Sequence, residues 1–109
     1  METPFDKIYV KEDESEFGEK HLPLVELEKQ DDFTIIDVTV GSKLHPSEPG
    51  HFIQWVEILD GDVSLSKEYL THFNVPKITC FVKKNPEDLK VRIFCNVHGT
   101  WEWEDKSLN

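Results

Sequence analysis

Cys95 and His98 stand three residues apart in FCNVHGTWEW, just past an alternating apolar run and just before a glycine. A Cys-x-x-His pair at a strand end can hold one metal ion between a thiolate and an imidazole. The plain alternative is a buried cysteine beside a surface histidine, since free cysteine is among the most buried residue types. His45 and His51 bracket PSEPG, a segment too rich in proline and glycine to be helical. Pro46 and Pro49 stiffen it and Gly50 lets it turn, so the loop can bring two imidazoles to one point at little entropic cost. Two surface histidines flanking a turn would show the same pattern. His21 precedes Leu22-Pro23 at the start of the first strand-like run, whereas His72, in EYLTHFN, has no partner signal. Cys80 lies mid-strand, where packing accounts for it.

If His21, His45, His51, Cys95 and His98 converge, the site holds four imidazoles and one thiolate. Five protein donors are too many for a closed, tetrahedral structural zinc. They are also too many for blue copper, which uses two His, one Cys and an axial Met; the only methionine here is Met1. Five donors leave one octahedral position open. A single thiolate facing it would push electron density through the metal, as expected of a redox iron centre acting on a small oxygen ligand. Two rival readings stay open. One is a non-catalytic β-sandwich that binds a metal or a partner. The other is an electron-transfer or structural protein with zinc or copper in a subset of these donors.

The elements that must position these residues read as strands. FTIIDVTV places Ile36, Val38 and Val40 on one face and Ile35 on the other. LKVRIFC puts Leu89, Val91, Ile93 and Cys95 together, with Lys90 and Arg92 pointing away, and KITCFVK groups Ile78, Cys80 and Val82. HFIQWVEIL is ambiguous: Phe52, Trp55, Val56 and Leu59 fit a helical stripe. Its β-branched and aromatic content favours a strand buried on both faces. Turn signals at Pro46 to Gly50, Asp60 to Asp62, Asn74 to Pro76 and Asn85-Pro86 separate these runs, which predicts an all-β sandwich.

A chain of 109 residues is one domain by length. Twenty-two acidic against 12 basic side chains, net charge -10, argue against nucleic acid and against an anionic membrane surface. No apolar run reaches transmembrane length. The N-terminal METPFDKIYVKEDESEFGEK is acidic and lacks a hydrophobic segment, so neither a secretory signal nor a transit peptide is expected there. The first twenty residues read as irregular, with one turn of helix near Ser15 to Gly18. A cytoplasmic location follows as the expectation, with both cysteines free. No CxxC is present, which excludes a rubredoxin-type iron knuckle.

The sequence resembles superoxide reductase, the family of neelaredoxin and the iron-binding domain of desulfoferrodoxin. Three blocks carry the resemblance: GEKHLP (Gly18 to Pro23), HPSEPGHFIQW (His45 to Trp55) and CNVHGTW (Cys95 to Trp101), with a weaker match at FNVPK (Phe73 to Lys77). The resemblance implies an immunoglobulin-like β-sandwich of about seven strands. It implies an acidic segment, residues 1–20, carrying the start of the site loop, and an iron-binding sandwich over 21–109. It implies a mononuclear iron with His21, His45, His51 and His98 in the equatorial plane and Cys95 as axial thiolate. Glu19 matches the glutamate that occupies the open position in the oxidised state, and Lys20 the lysine beside that position. The implied activity is reduction of superoxide to hydrogen peroxide without dioxygen, drawing an electron from a donor such as rubredoxin. The implied assembly is a homodimer or homotetramer. The loop departs from the family pattern at Glu48 and Gly50, where Thr and Glu are more usual, but the spacing of His45 and His51 is kept. With no CxxC domain, the one-iron class is expected.

Overall fold

The computed structural model describes residues 8–9, 21–41, 45–83 and 86–104. Among the described residues there are eight strands: β1 (Ile8–Tyr9), β2 (Pro23–Lys29), β3 (Thr34–Val40), β4 (Ile53–Asp60), β5 (Val63–Tyr69), β6 (Lys77–Val82), β7 (Leu89–Cys95) and β8 (Gly99–Glu104). They form a five-stranded sheet in the order β1-β8-β7-β4-β5 and a three-stranded sheet in the order β2-β3-β6. The chain is therefore all-β, an immunoglobulin-like sandwich with seven full strands and a two-residue eighth. The turn of helix expected near Ser15 to Gly18 lies outside the described residues. Within that N-terminal stretch, Ile8 and Tyr9 pair in parallel with Thr100 and Trp101, a strand too short to leave a periodic signal.

Alternation decides which face each strand buries. On β3, Ile36, Val38 and Val40 are fully buried, and on β7 so are Leu89, Val91, Ile93 and Cys95. The intervening Asp37, Thr39, Lys90 and Arg92 are only half-buried. A period of two lets a strand send one set of side chains inward and the other out. Each fully buried Val, Leu or Ile contributes about 1.5–3 kcal/mol relative to exposure. Half-buried Leu22, Val25, Leu27, Cys80 and Val82 pack against this core from the smaller sheet and its approach. Outside the core, Arg92 Nε donates to Glu102 Oε1 at 2.7 Å across the β7–β8 ladder.

β4 is a strand, as expected, but it buries one face rather than two. Ile53, Val56, Ile58 and Leu59 are buried, whereas Gln54, Trp55 and Glu57 are half-buried. The pairing slips between Ile53 and Trp55 against β7, and between Ile58 and Leu59 against β5. Each bulge adds one residue and resets the alternation. The first inserts Gln54 into β4 and makes the step from buried Ile53 to buried Val56 three residues, as in a helix; the second inserts Leu65 into β5 and leaves β4 in step with β7. On the outer face, Trp55 stacks on Phe94 at 5.8 Å, with Lys67 Nζ 4.3 Å from the Trp55 ring centroid.

The hairpin that matters most for the site joins β7 to β8. Cys95 pairs with Gly99, leaving Asn96, Val97 and His98 as the loop. Gly99 has φ of 86°, a left-handed conformation that closes such a three-residue hairpin and that side chains with a Cβ disfavour.

Candidate metal centre

Four separated segments deliver the candidate donors to one end of the sandwich. His21 stands at the entrance to β2, where the Gly41 N–H donates to the Leu22 carbonyl at 3.1 Å. His45 comes off the end of β3, its N–H donating to the Val40 carbonyl at 3.2 Å. The neighbouring start of β2 and end of β3 (Pro23 opposite Val40) thus set the two imidazoles side by side. His51 closes the turn begun at Glu48, the two residues exchanging backbone hydrogen bonds at 2.9 and 3.0 Å, with Pro49 at a turn position it favours. Cys95 ends β7 pointing into the core, and the β7–β8 loop returns His98 beside it.

The four rings form a closed circuit. Centroids are 4.8 Å apart for His21–His45, 4.8 Å for His45–His51, 5.0 Å for His51–His98 and 4.9 Å for His98–His21. Every adjacent pair is edge-to-face, with interplanar angles of 69 to 82°. A flat square of that edge has its centre about 3.5 Å from each centroid, near what a nitrogen–metal bond of ~2.1 Å plus half a ring requires. Donor atoms of His21, His45, His51 and Cys95 all lie within 4.8 Å of one another. Cys95 Sγ is 3.7 Å from His98 Nδ1, which joins the fifth residue to the group.

The structure therefore brings together all five residues singled out from the sequence. Glu19 and Lys20 lie outside the described residues. His72 is not in the cluster; its ring lies against Phe73 and Phe52. Cys80 is a half-buried free thiol on β6, and Cys95 a buried free thiol. One residue that sequence reasoning left without a role is Trp101. It is 2% exposed and stacks on His21 at 4.7 Å and 13°. Its position on β8, three residues past His98, was the available signal.

Protonation states fit a cation. His45 Nδ1 is 2.8 Å from the Pro46 carbonyl, which can only accept, so the ring carries its proton there. Its Nε2 is then a bare lone pair aimed into the cluster, 3.3 Å from His21 Nε2. This is the arrangement in which a metal-binding imidazole is fixed by its other nitrogen. Burial lowers the His45 pKa to about 4, reinforced by the neighbouring histidines, so the ring is neutral near pH 7. Burial also lowers His98, with His51 adding to it. His51 Nε2 is buried with no hydrogen-bond partner, an arrangement proteins rarely leave without a ligand. Burial pushes the Cys95 thiol up, opposed by the N–H groups of Val97 and His98. A bound cation reverses that balance and favours the thiolate. The donor set, four imidazoles and a thiol with inward lone pairs, thus suits a mononuclear iron.

A pH effect on the metal-free protein follows. An unfolded histidine takes a proton near 6.5, but folded His45 takes one only near 4. Between those values the unfolded chain binds more protons, so stability falls as pH drops through that interval. Urea midpoints of metal-free protein should decline from pH 7 to pH 4, with up to about 3 kcal/mol from His45. A midpoint constant over that interval contradicts the assignment.

Comparison with known proteins gives a consistent result. Residues 13–104 match the Desulfoferrodoxin family. The superoxide reductase of Pyrococcus abyssi is 34% identical over 99 residues, covering 80% of this chain and 86% of that protein. The desulfoferrodoxin of Syntrophotalea carbinolica is 40% identical over 86 residues, covering 79% of this chain and 63% of that protein. Among solved structures, the superoxide reductase (neelaredoxin) from Ignicoccus hospitalis matches with a TM-score of 0.74 at 28% identity, over 90% of this chain and 91% of that one.

Proposed function

This chain belongs to the desulfoferrodoxin family, and from that premise we propose that it is a superoxide reductase working at the cluster of His21, His45, His51, His98 and Cys95. The reaction adds one electron and two protons to superoxide and yields hydrogen peroxide, with no dioxygen. The observation that carries the reading is the closed circuit of four imidazoles with a buried thiol against it. An iron ion held by these five residues would supply one-electron redox chemistry, the electron coming from an external donor. The imidazoles hold it without adding charge. Cys95 contributes a soft, electron-releasing sulfur, and the backbone N–H groups of Val97 and His98 tune it.

Two roles rest on the match of GEKHLP alone. Superoxide is an anion and the chain carries net charge -10, so long-range attraction has the wrong sign. Charges beyond about 10 Å are largely screened at ~0.1 M salt, however, and one nearby cation can focus an anion. In this reading Lys20 is that cation, and a water held by it delivers protons to the forming peroxide. Glu19 acts at the open position in the oxidised resting protein and assists product release. A rubredoxin-like one-electron donor and a dimeric or tetrameric assembly belong to the same reading. So does a reducing, cytoplasmic compartment, supported by the free thiols of Cys80 and Cys95. No helix among the described residues is long and apolar enough to cross a membrane.

Product stoichiometry tests the activity. Iron-loaded protein kept reduced by a donor should form one peroxide for each superoxide consumed, without dioxygen. A yield of one peroxide per two superoxide, with dioxygen released, would instead make it a dismutase.

A further inference from the structure

We propose that Asn96 is a positioning residue that aims His51 from the cysteine side of the centre, an inference that rests on the ligand set above. The Asn96 side chain spans the residues on either side of His51. Its Oδ1 accepts from the Phe52 N–H at 2.9 Å, and its Nδ2 donates to the Gly50 carbonyl at 3.1 Å. The Asn96 backbone N–H adds a bond to the Phe52 carbonyl at 3.3 Å. One carboxamide therefore grips the chain immediately before and after a candidate ligand, and it belongs to the residue directly after Cys95.

His51 needs such a grip because its own turn is poorly anchored. Glu48, Pro49 and Gly50 are exposed. Among the described residues, a Cβ at Gly50 would meet nothing within 4 Å, so that side of the turn is open. Glu48 and His51 bond each other, which shapes the turn without fixing it to the sandwich. Among the described residues, Ser47 Oγ donates to the Asn74 carbonyl at 2.9 Å, on the far side of the turn. Nor does a hydrogen bond at Nε2 orient the His51 ring. What aims that nitrogen is the backbone, and Asn96 holds the backbone.

Only an amide of this length meets both demands. Asparagine offers a donor and an acceptor in one plane, aspartate has no donor, and glutamine is one methylene longer. Asn96→Asp keeps the bond from Phe52 and sets a carboxylate against the Gly50 carbonyl. Through Asn96, the thiolate and one imidazole share a single support, so a shift of either is felt by the other.

A double-mutant cycle with cobalt(II) as the probe tests this, read by the thiolate-to-cobalt absorption band and the ligand-field bands. Asn96→Ala should weaken cobalt binding about 10- to 100-fold, the range for loss of a group that orients a ligand, and shift the ligand-field bands. In a His51→Ala background the same substitution should change affinity less than about threefold, because residues acting through one another are non-additive. Asn96→Asp should lie between wild type and Asn96→Ala, and it carries the cycle if Asn96→Ala does not fold. An equal loss in both backgrounds, or no loss in either, overturns the positioning role. Wild-type protein that binds cobalt without a thiolate band overturns the ligand set itself.

Discussion

Cys95→Ser should abolish the visible thiolate-to-iron charge-transfer band expected of the oxidised, iron-loaded protein and lower superoxide reduction at least ~100-fold, while the chain still folds. The substitution is nearly isosteric at a position that is 0% exposed, so packing around it changes little. The new hydroxyl finds the backbone N–H groups of Val97 and His98 already in place to donate to it. The fold should therefore lose no more than about 1–2 kcal/mol. What disappears is the soft, polarisable sulfur. A serine oxygen neither gives a charge-transfer band in the visible nor releases electron density comparably. His21, His45, His51 and His98 remain, so iron should still bind, more weakly. Visible spectra and stoichiometric iron titration of one preparation separate the two effects. A Cys95→Ser protein that keeps that visible band, or keeps full activity, removes the thiolate from the mechanism.

The second large effect concerns the strand that carries that cysteine. Ile93→Ala should destabilise the protein by about 3–4 kcal/mol and lower Tm by some 12–25 °C. Ile93 is 0% exposed at the centre of β7, flanked across the ladder by Val56 on β4 and Trp101 on β8. Truncation leaves a cavity between close-packed strands that are paired on both sides and cannot collapse inward. The cavity adjoins Trp101, whose ring supports His21. The iron-loaded variant should thus also bind metal less tightly than the loss of fold stability alone explains. Calorimetry with and without metal measures both. A Tm within a few degrees of wild type would mean the core relaxes far more than its packing suggests.

Much of this was legible from local pattern. β3 and β7 announced themselves because a strictly alternating run records its buried face in sequence. The donors were legible as types and spacings: His45 and His51 around a proline-stiffened turn, Cys95 and His98 around a tight hairpin. Their convergence was not, because it depends on which strands pair, and pairing between β2 and β3 or β4 and β7 is a non-local fact. β4 was misread in part because its bulge at Gln54 breaks the alternation that reports burial. Ile8–Tyr9 was missed because two residues cannot show a period. Asn96 and Trp101 were visible as residues of a motif. Their work, bridging to Gly50 and Phe52 and stacking on His21, exists only once the loops meet.

The circuit of imidazoles has a further consequence. His21 leads into the three-stranded sheet, whereas Cys95 and His98 belong to the five-stranded one. A cation held among them is a cross-link between the two layers, closing a loop of some 77 residues (His21 to His98). In an extended chain these donors are far apart, so the clip exists only in the folded state and its binding free energy adds to folding. A loop of that length is entropically costly to close, by an amount that grows only slowly with its size. A metal held there does for this small sandwich what a disulfide between the sheets does for secreted ones. It does so without an oxidising compartment, and it comes undone with the ion rather than with a reductant.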